Sequence, residues 1–196
     1  ELAGKNVVAT PIISGRRDFS HPRYSPDGRR IAIGLFDGTR TDIWVYTIAS
    51  EGGAERLTTN GTDNDRPEWS PDGRYIFYRS NRSGRQAIWR QRADGSGASE
   101  RVSPLLEIPA LEAIVTPDGR TLVYRVDDPV RARDIYTIPL DGNDRTPRPL
   151  VVTEFDELTP RLSPDGKWIA YVSNESGRHD VYVRPFPNPG GRVVIS

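Results

Sequence analysis

Short, nearly continuous apolar runs recur along the chain, separated by clusters of Gly, Pro, Asp and Ser. Four such runs are Ile31-Ala32-Ile33-Gly34-Leu35, Tyr75-Ile76-Phe77-Tyr78, Thr121-Leu122-Val123-Tyr124 and Trp168-Ile169-Ala170-Tyr171-Val172. They are rich in β-branched and aromatic residues and too short for helices, which predicts strands buried on both faces. A second run follows each: Ile43-Trp44-Val45-Tyr46, Ala87-Ile88-Trp89, Ile135-Tyr136-Thr137-Ile138 and Val181-Tyr182-Val183. No segment shows the 3.6-residue period of an amphipathic helix.

The turns repeat as well. Ser25-Pro26-Asp27-Gly28 returns as Ser70-Pro71-Asp72-Gly73, Thr116-Pro117-Asp118-Gly119 and Ser163-Pro164-Asp165-Gly166, with prolines 45, 46 and 47 residues apart. Pro presets φ at the second turn position, Asp bonds back to nearby backbone, and Gly supplies the left-handed residue that closes the turn. Each copy therefore reads as a hairpin between two strands. After the second run comes a Gly-rich turn (Glu51-Gly52-Gly53, Asp94-Gly95, Asp141-Gly142, Pro189-Gly190-Gly191) and then a short outer strand such as Arg56-Leu57-Thr58. Four strands in about 45 residues is the signature of a propeller blade. The predicted fold is an all-β propeller of four four-stranded antiparallel blades at 15–59, 60–104, 105–153 and 154–196. Residues 1–14 add an outer strand, because Pro11-Ile12-Ile13-Ser14 aligns with Arg56-Leu57-Thr58-Thr59. The last blade already has its own outer strand, so the extra one implies part of a larger ring rather than a closed four-bladed one. Open edges attract pairing, and self-association is expected.

Composition trims the functional classes. The 196 residues carry 27 basic and 27 acidic side chains, which argues against a uniformly basic nucleic-acid binder. Cysteine is absent, so thiol and disulfide chemistry are excluded. The longest wholly apolar run, Trp168 to Val172, cannot span a bilayer, and no membrane insertion is expected. The chain does not begin with Met and reads as a processed protein or an excised piece.

The pattern Pro67-x-Trp69-Ser70-Pro71-Asp72-Gly73, an apolar strand, Ser80-Asn81-Arg82-x-Gly84 and then Ile88-Trp89 resembles the TolB-type WD-like propeller repeat, over essentially residues 15–196. The family includes the periplasmic TolB propeller, the propeller lids of prolyl-oligopeptidase-like and tricorn-like peptidases, and exported propellers fused to bacterial Ser/Thr kinases. Tyr171 to Pro187 is most similar to the kinase-fused group. The resemblance implies a ring of six blades, a periplasmic or extracytoplasmic location, no cofactor, and a non-catalytic scaffold that binds a protein, peptide or other ligand. The alternatives it leaves open are the gating domain of a peptidase and the sensor domain of a Ser/Thr kinase. Blade 3 departs from the pattern, with Ala113-Ile114-Val115-Thr116 where the other blades have Pro-x-aromatic/Leu-Ser.

Candidate site residues lie where each inner strand begins, on the face shared with the second hairpin. Asp18, Asp63 and Asp156 occupy one column of the repeat, and His21, Arg66, Glu112 and Thr159 occupy the next. The constant Asp column suits a loop-ordering bond; its functional reading is an anionic ring for a cation or a basic peptide. The varied column, with Asp65 beside it, is where ligand chemistry is expected, since loops on a rigid scaffold carry function. The partner expected there is a protein or peptide at the channel mouth. The second hairpins offer a polar rim with Arg and Phe36 as anchors. No metal site is assigned: His21 and His179 are far apart, and no Asp-x-Asp-x-Asp-Gly loop occurs. No catalytic residue is assigned either. A Gly-x-Ser-x-Gly elbow, a phosphate-binding Gly-x-x-x-x-Gly-Lys loop and the kinase catalytic set are missing from the sequence. The arginines crowded into blade 2 (Arg74, Arg79, Arg82, Arg85, Arg90 and Arg92) are read as a solvated edge rather than a phosphate site.

Overall fold

A computed structural model describes residues 18–48, 53–104, 108–128, 130, 132–188 and 190–196. Among them sixteen strands form four separate four-stranded antiparallel sheets, each built from consecutive strands. Blade 1 holds β1 (Asp18–Tyr24), β2 (Arg30–Phe36), β3 (Thr41–Thr47) and β4 (Ala54–Arg56). Blade 2 holds β5 (Asn64–Trp69), β6 (Tyr75–Ser80), β7 (Ala87–Arg92) and β8 (Glu100–Arg101). Blade 3 holds β9 (Ala110–Val115), β10 (Thr121–Asp127), β11 (Arg133–Pro139) and β12 (Arg148–Val151). Blade 4 holds β13 (Glu157–Leu162), β14 (Trp168–Ser173), β15 (Asp180–Pro185) and β16 (Val193–Val194). The outer strand expected at Pro11–Ser14 lies outside the described residues, as do Glu51, Gly52 and Pro189 of the Gly-rich turns.

The repeated turn folds alike in all four copies. Its glycines sit at φ of 68°, 68°, 73° and 68°, a region open to Gly without steric cost. In the first copy the Gly28 N–H donates to Ser25 O at 2.8 Å. The Ser25 hydroxyl donates to Asp27 Oδ1 at 2.6 Å and accepts from Arg30 N at 2.9 Å. Asp27 Oδ1 also accepts from Arg29 N. Ser70/Asp72, Thr116/Asp118 and Ser163/Asp165 repeat this set. In each case the hydroxyl is the leading cause that holds the carboxylate below its usual range.

Inner strands of successive blades lie side by side, β1 on β5, β5 on β9 and β9 on β13, so the sheets fan about a common axis. Three apolar seams join them. Ala32, Ile43, Val45 and Leu57 of blade 1 and its outer strand meet Trp69, Ile76 and Tyr78. Phe77, Ile88 and Val102 meet Ala113, Leu122 and Tyr124. Val123, Ile135 and Val151 meet Ile169, Tyr171 and Tyr182. No comparable cluster joins blade 4 back to blade 1 among the described residues. This changes one expectation. Strands β2, β6 and β10 are buried over most of their length, whereas β14 alternates, with Trp168 47% exposed. Among the described residues no blade packs on one face of blade 4, so only the residues that face blade 3 are covered.

Candidate functional site at the axial mouth

The inner strands set the axial wall in layers. Asp18, Asp63 and Asp156 stand at the entry, followed by His21, Arg66, Glu112 and Thr159, and then by Arg23, Glu68, Ile114 and Arg161. The wall is not made of regular strands. In blades 1, 2 and 4 the register slips between Ser20 and Arg23, Asp65 and Glu68, and Leu158 and Arg161. Each slip is a bulge holding an X-Pro pair: His21-Pro22, Arg66-Pro67 or Thr159-Pro160. Proline has no N–H to give the ladder, and a bulge removes the need for one. The residue before it takes a left-handed backbone: φ is 51° at His21, 52° at Arg66 and 47° at Thr159. A non-glycine residue held there costs about 1–3 kcal/mol, and these are the only such residues among those described. Blade 3 has Ala113 in place of the proline. There the bulge slides to Leu111, and Glu112 stays in register opposite Arg125.

These conformations give the column two different chemistries. Glu112 is buried and held by Arg125 Nη1 at 3.4 Å and, from blade 4, Arg161 Nη1 at 3.1 Å. Glu68 accepts from Arg23 Nε of blade 1 at 3.1 Å; burial, opposed by Arg23, pushes its carboxyl above the usual range. Asp65 is buried and receives a two-pronged hydrogen bond from Arg79, 2.6 Å on each arm. Each of these carboxylates is therefore matched by an arginine. Arg66 has no such match: no carboxylate pairs with it among the described residues, and its Nε is buried without a hydrogen bond. His21 shares that cleft, and its Nδ1 is also buried and unpartnered. Burial first, and then the charge of Arg66, hold His21 below the usual histidine range, so the ring is neutral at pH 7. Thr159 is exposed at the same level.

The Asp carboxylates do not make the loop-ordering bonds. The loop-ordering bonds come from asparagines of the second hairpins: Asn81 Oδ1 accepts from Thr62 N and Asp63 N, and Asn174 Oδ1 from Asp156 N. The Asp carboxylates reach sideways instead. Asp63 accepts from Gln86 Nε2 at 2.5 Å and meets Arg79 at 3.4 Å, and Asp156 pairs with Arg133 of blade 3 at 2.9 Å. Asp18 stands exposed at the start of β1. No cluster of three His, Asp or Glu arranged to hold a metal is present among the described residues. In blade 2, Arg79, Arg90 and Arg92 are paired with Asp65, Glu100 and Asp94, and Arg82 lies over Trp89 at 4.6 Å. A cleft of about 480 Å³ lies at the opposite end, between the turns of blades 2 and 3. Its polar walls are mutually engaged: Asp72 with Ser70, Asp118 with Thr116, and Arg90 with Glu100.

Sequence reasoning picked out the mouth column but missed Arg23, Glu68, Arg125 and Arg161, which organise it. An X-Pro pair recurring at one repeat position was the available signal for the bulges, since proline cannot donate to the ladder and inside a strand pattern marks a bulge.

Comparisons with known proteins agree with this architecture. The TolB beta propeller domain profile matches residues 10–131, more than half of the chain. Dipeptidyl-peptidase 5 of Porphyromonas gingivalis is 39% identical over 71 residues, which is 34% of this chain and 10% of that protein. A solved TolB structure from Agrobacterium tumefaciens superposes with a TM-score of 0.74 at 21% identity, covering 87% of this chain and 62% of that one. TolB from Acinetobacter baumannii gives 0.71 at 19% identity, covering 87% and 44%. The chain thus spans less than two thirds of the length of each of these relatives.

Proposed function

This chain belongs to the TolB beta propeller domain family, and from that premise we propose that it is a non-catalytic binding module of the bacterial cell envelope. Its axial mouth would take a protein or peptide segment. The observation that carries this reading is the layer of three left-handed X-Pro bulges, which commits backbone strain to placing His21, Arg66 and Thr159 around the axis. Strain of that kind collects at ligand clamps and binding sites. A rigid mouth of this sort recognises by shape, with charge setting partner choice and encounter rate. The four blades would form part of a larger ring, six by family resemblance.

Peptides selected against this chain from a random display library test the reading. Bound peptides should protect the amide hydrogens of His21, Arg66 and their neighbours from exchange. Protection confined to the blade rims or to the opposite end would overturn it. Measured turnover by this polypeptide alone would end the non-catalytic part. A second reading, the propeller of a peptidase, is favoured by the match to dipeptidyl-peptidase 5. It requires a hydrolase nucleophile elbow encoded in the flanking gene sequence, which sequencing settles directly.

A further inference from the structure

Charge matching in the mouth is one group short. Three carboxylates near the axis, Asp65, Glu68 and Glu112, are each held by an arginine within 3.4 Å. Arg66 lines the same small cleft as Glu68 and Glu112 and pairs with neither. Its backbone is fixed in the left-handed region by the Pro67 bulge and its Nε is buried, so it is not a freely swinging surface arginine. Its Nε and the Nδ1 of His21 are the two buried, unpartnered polar atoms of the cleft. A buried donor left without an acceptor is costly, and Arg66 Nε, which can only donate, marks the place where an acceptor belongs. The space holds about 10 Å³ for a water-sized group, the room of one oxygen atom rather than of a bulky ring.

We propose that Arg66 and His21 form a carboxylate subsite at the axial mouth, which anchors an acidic group of a bound peptide. The guanidinium supplies the positive charge, and its buried Nε is the donor for one carboxylate oxygen. The neutral imidazole adds one N–H. The neighbouring Arg23, Arg79, Arg125 and Arg161 cannot serve equally, because each already pairs its charge with Glu68, Asp65 or Glu112. Those pairs instead keep the surrounding carboxylates from occupying Arg66. The inference rests on the mouth being the binding surface and adds the chemistry of what binds there. The carboxylate can belong to an acidic side chain or to a peptide C-terminus.

Three peptides separate the possibilities in a titration of the ¹⁵N-labelled chain: acetyl-Ala-Glu-Ala-amide, acetyl-Ala-Ala-Ala with a free C-terminus, and acetyl-Ala-Gln-Ala-amide. At least one of the first two should move the amide signals of His21, Arg66 and Glu68 saturably, and whichever does so identifies the source of the carboxylate. The Gln peptide should bind at least about tenfold more weakly, the worth of one charge-assisted hydrogen bond. Arg66→Asn, which tolerates the left-handed backbone, should lose that advantage with the remaining spectrum unchanged. Arg66→Lys should keep part of it, which guards against a folding artefact. Equal binding of the Gln peptide at these same signals would overturn the carboxylate subsite and leave the mouth reading standing. Shifts confined to another face would overturn both. No saturable shift with either carboxylate peptide, or unchanged affinity in Arg66→Asn, would overturn the subsite.

Discussion

The seam between blades 1 and 2 and the seam between blades 3 and 4 use the same repeat positions, yet their buried polar centres are built differently. In the first, Asp42 is 2% exposed and receives Arg40 Nη2 at 2.9 Å, Arg56 Nη2 at 2.5 Å, Thr58 Oγ1 at 2.8 Å and, from the next blade, Asn64 Nδ2 at 3.0 Å. Asn64 also accepts from Ser80 Oγ at 2.6 Å. In the second, Asp134 takes the place of Asp42 and Glu157 the place of Asn64. Glu157 Oε1 accepts from Thr153 Oγ1 at 2.8 Å and from Ser173 Oγ, but its Oε2 is buried without a partner. An amide that donates across one seam is thus replaced by a carboxyl that can donate only when protonated. Burial is the main cause that raises the Glu157 carboxyl above its usual range, and the charges of Glu175 and then Asp134 add to it. A fully satisfied buried network specifies its seam, whereas a half-satisfied one stores a penalty.

Removing the two Asp residues should separate the seams most widely. Asp42→Ala strips the acceptor from four donors and should cost about 3–5 kcal/mol. Asp134→Ala takes away an acceptor of Thr153 N, at 3.3 Å, but also a charge that opposes Glu157, and should cost less, about 1–3 kcal/mol. Chemical denaturation of the two variants measures the difference, and equal losses would break the comparison.

Glu157→Gln should then act in the opposite direction, raising stability by about 1 kcal/mol at pH 7. A carboxyl raised in the folded state stabilises below its unfolded pKa and loses that contribution as pH rises through the folded value. The advantage of the Gln variant should therefore shrink as pH falls toward the unfolded carboxyl value of 4.5. An advantage that stays constant with pH would show that Glu157 does not titrate as argued. The four turn carboxylates have the opposite sign. Their folded values are lowered, so what they contribute is present at neutral pH and lost as pH falls below 3.8. Because Ser25 and Ser163 make the same bonds in blades that otherwise differ, their alanine variants should lose similar amounts, about 1 kcal/mol each. A large disparity would mean that the seams, not the turns, set local stability.

How much of this the sequence carries depends on the kind of contact. The turns were legible because every bond in them is made within five residues. The blade count followed from the same spacing, and the mouth column from its variation between repeats. The seam chemistry was not legible: Asn64 and Glu157 share a repeat position, but whether that position is buried, and which side chain of the previous blade it meets, is decided only when the blades pack. Arg66 was legible as a candidate, its lack of a partner was not. The difference between Arg66 and Glu112 lies in one proline, present at residue 67 and replaced by Ala113 in blade 3, which decides whether the side chain sits on a bulge or in the ladder.

The smallest effect on stability should come from the apolar face of blade 4, which no seam covers among the described residues. Ile195 N donates to Val181 O at 2.8 Å, as Leu57 N does to Ile43 O and Val102 N to Ile88 O. The Ser196 hydroxyl accepts from Val181 N as that of Thr58 does from Ile43 N. Backbone and cap are thus the same, yet Leu57, Val102 and Val151 are 7%, 2% and 3% exposed and Ile195 is 65% exposed. Leu57→Ala should cost about 2–4 kcal/mol, because it opens a cavity in a closed seam. Ile195→Asp should change folding stability by no more than about 0.5 kcal/mol, as surface substitutions do, but it places a charge on the face that would meet another blade. If that face drives the self-association expected of open blade edges, light scattering should show association of the parent chain weakening in Ile195→Asp. A parent chain that stays monomeric at high concentration would instead show that this face is content in water, and the likeness between the blade 4 face and the closed seams would end at the backbone.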